Sequence, residues 1–185
     1  MSTPILSPQE AQDHAVFTAL MRALSRPGEV QQLEAGGVHG LEAVGRVLLD
    51  LETSFYTTDP ALRQTFERLG ARAETPDRAA YQFFAEMDEG ALEAISRAAA
   101  GTLLYPDHAA TVVVAAELGK GPKLRLRGPG IKEASEIRVD LPRRFWSLRE
   151  ERVSFPLGWD VILISGEGKC FGLPRSTEVT EVEVN

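Results

Sequence analysis

The stretch Lys123 to Ile131, KLRLRGPGI, restricts the fold more than any other part of the chain. Lys123, Arg125 and Arg127 alternate with Leu124 and Leu126, which is the period of a strand with one buried face. Gly128-Pro129-Gly130 then stops that strand. Pro129 brings no backbone N–H to a ladder, and the two glycines admit conformations that other residues avoid. Arg125 and Arg127 therefore reach one face of a strand end beside bare backbone. That is a candidate site for an anion or for a partner surface.

The flanking sequence predicts a mixed sheet with helices packed on it. Ser7-Pro8-Gln9-Glu10 reads as a capping box with proline at the first helical position, and the helix should run to about Ser25. Its apolar face would be Val16, Phe17, Leu20, Met21 and Leu24. A second helix fits Leu41 to Glu52, with Val44, Val47, Leu48 and Leu51 facing inward. Asp50, Glu52 and Thr53 then crowd its C-terminal end, where the helix dipole disfavours acids. Such a placement serves either a site or a solvated turn.

Shorter helices are expected over Ala61–Leu69 behind the cap Asp59, over Glu89–Ala99 behind Asp88, and over Leu141–Val153. Phe145 and Trp146 in the last of these could serve a core or an interface. Strands are expected at Val30–Leu33, Ser54–Thr57, Ala79–Ala85, Thr111–Leu118, Trp159–Ser165 and Cys170–Leu173. Gly119 to Pro122 reads as a hairpin turn leading into the opening strand. Residues 1–185 are expected to form one domain, since 185 residues can bury a sizeable core.

A net charge of −7 argues against broad binding to nucleic acid or anionic membrane. No apolar run approaches the length of a membrane span, and MSTPILSPQE is not a secretory signal. Cys170 is the single cysteine, which fits a reducing cytoplasm and excludes a disulfide framework or a zinc cluster. Arginines greatly outnumber the four lysines, Lys120, Lys123, Lys132 and Lys169. That bias suits bidentate contacts to phosphate or carboxylate and also follows from codon usage alone.

The common catalytic kits are missing. Gly166-Glu167-Gly168-Lys169 lacks the phosphate-loop spacing and sits between strands. His14, His39 and His108 have no paired metal spacing, and His108 alone lies in a loop context worth testing. No lysine sits in the apolar setting that a pyridoxal phosphate Schiff base needs. What remains is a set of polar residues at element ends: Arg125, Arg127, Asp160 at the start of a strand, and Arg175 just past one. They would hold a phosphate, phosphonate, carboxylate or acidic partner, or would form structural ion pairs with Asp160 taking an arginine.

Six segments resemble, in order, the H subunit of the carbon–phosphorus lyase system, the PhnH family. They are ALSRPG (Ala23 to Gly28), LLDLET (Leu48 to Thr53), GTLLYPDHAAT (Gly101 to Thr111), LRGPGI (Leu126 to Ile131), FPLGWD (Phe155 to Asp160) and GLPRST (Gly172 to Thr177). The resemblance implies a subunit used in alkylphosphonate catabolism. With the G, I and L subunits it would help form ribose 1-methylphosphonate 5-triphosphate from ATP and methylphosphonate. It implies a three-layer α/β/α sandwich around a mixed sheet, like the large domain of pyridoxal-phosphate-dependent transferases, without a cofactor. It also implies a cytoplasmic homodimer when isolated and a place in a complex that includes the J subunit.

The family supplies no catalytic residue to carry over, so the subunit is expected to be non-catalytic. Its motifs mark Gly128, Pro129, Gly130, Arg175, Glu52 and Thr53 for contact with a ligand, such as a nucleotide or phosphonate, or with a partner. The alternative is a stand-alone enzyme or binding protein for a phosphorylated small molecule, using Arg125 and Arg127.

Overall fold

Ser7 opens the first helix as its sequence predicts. In the computed structural model, which describes residues 7–182, the Ser7 hydroxyl accepts from the Glu10 amide and the Glu10 carboxylate accepts from the Ser7 amide. Helix α1 (Pro8–Ser25) follows, then β1 (Gln31–Gln32), α2 (Gly37–Leu48), β2 (Ser54–Thr57), α3 (Pro60–Arg68) and β3 (Arg72–Ala73). Next come β4 (Tyr81–Phe84), α4 (Glu89–Ser96), a 3-10 turn over Pro106–His108, and β5 (Thr111–Ala115). The chain ends with β6 (Glu117–Arg127), β7 (Ser135–Asp140), α5 (Arg143–Arg152), β8 (Asp160–Ile164), β9 (Lys169–Leu173) and β10 (Glu178–Glu181).

The middle strands bury both faces. In β5, Val112 and Val114 enter one core layer and Val113 the other; in β8, Val161 and Leu163 are divided the same way from Ile162 and Ile164. A strand that is apolar at successive positions must lie inside a sheet covered on both sides. The seven-stranded sheet has the order β1-β9-β8-β5-β4-β2-β3. Strands β3, β2, β4, β5 and β8 pair in parallel, while β9 runs antiparallel to both β8 and β1.

One face is covered by α1, α2 and α3, whose Leu20, Leu41, Val44, Leu62 and Phe66 meet Phe55, Phe83, Val113 and Ile162. Phe66 stacks edge-on to Phe55 at 5.3 Å and lies 4.6 Å from Phe83. Burying a side chain of this size contributes roughly 1.5–3 kcal/mol. The other face is covered by α4, by α5 and by a second sheet of order β10-β6-β7, through Leu124, Leu126 and Val139. The third layer is thus part helix and part antiparallel sheet, where a purely helical layer was expected.

Several boundaries differ from those the sequence suggests. The second helix covers Gly37–Leu48 and not Leu41–Glu52. Asp50 lies beyond it, in a turn where its carboxylate accepts from the amides of Glu52 and Thr53. Thr111–Leu118 is not one strand, because the chain leaves the large sheet after Ala115 and enters the small one at Glu117. Gly119 to Pro122 is not a hairpin turn. It lies inside β6, where the register against β7 shifts between Leu118 and Lys123, so the proline falls in an irregularity that needs no ladder N–H. On α1 the buried stripe is Val16, Ala19, Leu20 and Ala23, leaving Phe17 47% and Met21 54% exposed.

Candidate functional site

Three family-like segments meet where β6 ends. Gly130 has φ +84, and a Cβ there would stand 2.5 Å from the Ser25 carbonyl oxygen at the end of α1. A Cβ on Gly128, at φ +138, would stand 2.6 Å from the Ser176 carbonyl oxygen. Gly172 in β9 likewise leaves no room for a Cβ against the Ala23 backbone. The bare backbone of Gly128-Pro129-Gly130 is therefore filled by the chain itself, with α1 on one side and the Ser176–Thr177 segment on the other.

Two more of the motifs join at Arg175. Asp160 opens β8 and Arg175 follows β9, its antiparallel neighbour, so the register brings them together. Asp160 Oδ1 accepts from the Arg175 amide at 2.7 Å and from Nε at 3.2 Å, and Oδ2 accepts from a terminal guanidinium nitrogen at 2.7 Å. The other terminal nitrogen donates to the Pro106 carbonyl of the 3-10 turn. All the guanidinium nitrogens are engaged within the chain. The pair is mostly buried, with side-chain exposures of 16% and 20%.

Beside it lies a residue that the sequence reading passed over. Arg149 of α5 is 4% exposed. Its guanidinium donates to the carbonyls of Trp159 (3.3 Å), Pro174 (2.7 Å) and Thr177 (3.2 Å) and lies 5.7 Å from the centre of the Trp159 ring. Burial lowers its pKa to about 10, and the charge of Asp160 acts in the opposite direction. Arg149 therefore stays a cation at neutral pH. Helical spacing held the clue, since Arg149 is four residues after the core residue Phe145 and shares its face.

The remaining sequence candidates are dispersed. Arg125 stands on the outer face of β6, 3.4 Å from Glu136, which also pairs with Lys123. Those two cations hold the Glu136 carboxyl below its usual range, with the Lys123 hydrogen bond the largest cause. Arg127 shares that face and has no ion-pair partner among the described residues. Glu52 and Thr53 sit in the turn before β2, with the Thr53 hydroxyl accepting from the Asp50 amide at 2.7 Å. They share a sheet edge with Asp160 but lie three strands away, about 14 Å at the ~4.8 Å strand spacing. This edge holds the N-terminal ends of the parallel strands, whereas open α/β sheets usually seat ligands at the C-terminal ends.

His108 stacks on Tyr105 with ring centres 5.0 Å apart and planes 11° from parallel. Cys170 is fully buried, and burial pushes its thiol up to about 12. No group of three or more His, Cys, Asp and Glu residues stands together to hold a metal ion among the described residues. Nor, among them, is any helix long and apolar enough to cross a membrane.

Next to Arg149 and Arg175 opens a cavity of about 690 Å³ between α5 and β10, with Trp146 on its wall and Phe155 at its rim. Phe155 is 70% exposed, and Leu103, Leu104 and Tyr105 of the GTLLYPDHAAT segment are more than half exposed. Apolar side chains left this open within shared motifs point toward contact with another surface.

Comparison with known proteins agrees with the motifs. The chain is 35% identical to a Stutzerimonas stutzeri protein provisionally named a C-P lyase subunit, HtxG, over 92% of this chain and 87% of that protein. It is 32% identical to the alpha-D-ribose 1-methylphosphonate 5-triphosphate synthase subunit PhnH of Rhizobium meliloti (strain 1021), over 89% of this chain and 88% of that one. Residues 6–180 match the family described as bacterial phosphonate metabolism protein (PhnH). The six ordered motifs, the packing that joins five of them and this match over residues 6–180 lead to one conclusion: the chain belongs to the PhnH family of bacterial phosphonate metabolism proteins.

Proposed function

We propose that this chain is a subunit of a carbon–phosphorus lyase system in alkylphosphonate catabolism. It acts with the G, I and L subunits in making ribose 1-methylphosphonate 5-triphosphate from ATP and methylphosphonate, within a complex that also holds the J subunit. The observation that carries this reading is the family match over residues 6–180, with both relatives named as subunits. In the same reading residues 1–185 work as one cytoplasmic domain, related in fold to the large domain of pyridoxal-phosphate-dependent transferases and self-associating when isolated.

Its contribution is a shaped surface and not bond-breaking. Arg175 and Arg149 spend their donors on Asp160 and on backbone carbonyls, which suits a structural junction. Arg125 and Arg127, on the open face of β6, remain the side chains suited to a phosphonate, a nucleotide or an acidic partner surface.

Deleting the gene from a host that grows on methylphosphonate as sole phosphorus source tests this. Growth should stop and return with the gene supplied in trans, while the purified chain alone should consume neither ATP nor methylphosphonate. Normal growth of the deletion strain would remove the proposal.

A further inference from the structure

The small sheet packs one face on the core and turns the other to solvent. Residues directly opposite one another in an antiparallel pair project to the same side, so the register sorts their side chains. Leu124, Leu126, Val139 and Val179 face the core. Lys123, Arg125 and Arg127 of β6 face outward, flanked by Glu136 and Arg138 of β7 on one side and by Glu178 of β10 on the other. Four cations thus share this face with two carboxylates, in a chain whose net charge is −7. Beyond the register shift the ribbon becomes acidic at Glu117 and Asp140, with Lys120 committed to Glu117, so the basic patch ends at Lys123 and Arg138.

The two carboxylates leave cations to spare. Glu136 is shared between Lys123 at 2.5 Å and Arg125 at 3.4 Å. Glu178 lies across the ladder from Arg127 and forms no ion pair with it. Arg138 donates to the Gly121 carbonyl at 3.0 Å and, like Arg127, has no ion-pair partner among the described residues. Spacing decides what such a face can hold. Lys123, Arg125 and Arg127 repeat at about 6.7 Å, the rise of two residues, in a row about 13 Å long. A single phosphonate or carboxylate cannot span that row. An extended polypeptide alongside β6 has the same repeat of about 6.7 Å, so carboxylates at alternate residues meet each cation in turn. A long nucleic acid would overrun the patch onto Glu117, Asp140 and the acidic remainder of the chain.

We propose that the outer face of the small sheet docks an extended acidic segment of another subunit, with Glu136 as a built-in competitor for Lys123 and Arg125. The segment's carboxylates replace Glu136 on those two cations and supply the partners that Arg127 and Arg138 lack.

That the segment belongs to a subunit rests on the function proposed above, and the two claims fail separately. The probe is a synthetic heptapeptide of alternating serine and glutamate, with its serine–glutamine counterpart as control, titrated into the 15N-labelled full chain. The Arg125 and Arg127 Nε–H resonances should shift with the glutamate peptide alone, and binding should weaken as salt is raised. Arg127→Ala should weaken it about threefold, the scale of one exposed pair. Reversing two charges, Arg125→Glu with Arg127→Glu, should weaken it by about tenfold or more. The same double variant should reduce co-purification with co-expressed partner subunits, with an unchanged far-ultraviolet circular dichroism spectrum. Glu136→Gln should do the opposite and tighten peptide binding about threefold.

Equal shifts with both peptides, or no gain from Glu136→Gln, would overturn the assignment. Displacement of the peptide by ATP or methylphosphonate would overturn it in favour of a small-molecule site, and tighter binding of a single-stranded oligonucleotide in favour of nucleic acid. Shifts of the two arginine resonances with protein concentration alone would overturn it in favour of a second copy. If the double variant leaves co-purification intact while deletion of the gene still abolishes growth, the docking face is lost and the subunit reading stands.

Discussion

Cutting the Asp160–Arg175 tie decides whether Arg175 serves the fold or a ligand. Arg175→Met keeps most of the aliphatic stem and removes two bonds to the carboxylate and one to the Pro106 carbonyl. Breaking a buried pair from one side costs about 3–5 kcal/mol, because the abandoned charge stays behind. Asp160 is 20% exposed and keeps the Arg175 amide as a donor, so the lower end, about 3 kcal/mol, applies. For a chain of this size the melting temperature should fall by about 6–12 °C. With a urea slope of about 2 kcal/mol/M, the midpoint should fall by about 1.5 M.

Asp160→Asn abandons the arginine in the same way. The double variant should therefore be less destabilised than the sum of the singles, with a coupling of about 2 kcal/mol. Urea titrations of the four proteins, followed by tryptophan fluorescence, measure this. A midpoint for Arg175→Met within about 0.2 M of the parent, which is about 0.4 kcal/mol at that slope, would refute the structural role. It would return the arginine to the list of ligand contacts.

Three further outcomes follow from the packing and the charges. Gly172→Ala should cost about 1–3 kcal/mol in urea titration, because a Cβ there collides with the Ala23 backbone and pushes α1 off β9. Cys170 should resist Ellman's reagent at pH 8 when folded and react fully in urea. Its thiol rises from 9.0 to about 12 on burial, so its contribution to stability is complete below about pH 9 and is lost as pH rises from there toward 12. Cys170→Ala should flatten that alkaline decline. In a carboxyl 13C titration Glu136 should read below an ordinary glutamate, and Lys123→Ala should raise it more than Arg125→Ala.

Local grammar carried most of the elements. The capping box at Ser7, the Asp59-Pro60 and Asp88 starts, and the apolar runs of β5 and β8 each act within a few residues, so the sequence displays them directly. Long-range pairing decided the rest. Gly119 to Pro122 has turn chemistry, yet β7 absorbs it as an irregularity in one long strand. Phe17 and Met21 have helical spacing, yet the neighbouring face carrying Ala19 and Ala23 fits closer against β9 and is the one buried.

At the site, the alternation of Arg125 and Arg127 was legible because it is local. That Gly130 abuts Ser25, or that Arg175 reaches Pro106, depends on segments far apart in the chain and leaves no periodic trace. Arg149 was hidden for a different reason. An arginine in RRFWSLREER reads as surface charge unless its register with Phe145 is followed.

Strands β5 and β8 are neighbours in the large sheet, but β6, β7 and α5 are threaded between them in sequence. Closing a loop costs entropy that grows with the logarithm of its length. A β6–β7 ribbon that forms first draws the ends of this excursion together and shortens the loop left to close. The central seam of the molecule therefore closes after its outlying ribbon. Pulsed hydrogen exchange during refolding should find the β6 and β7 amides protected before those that join β5 to β8.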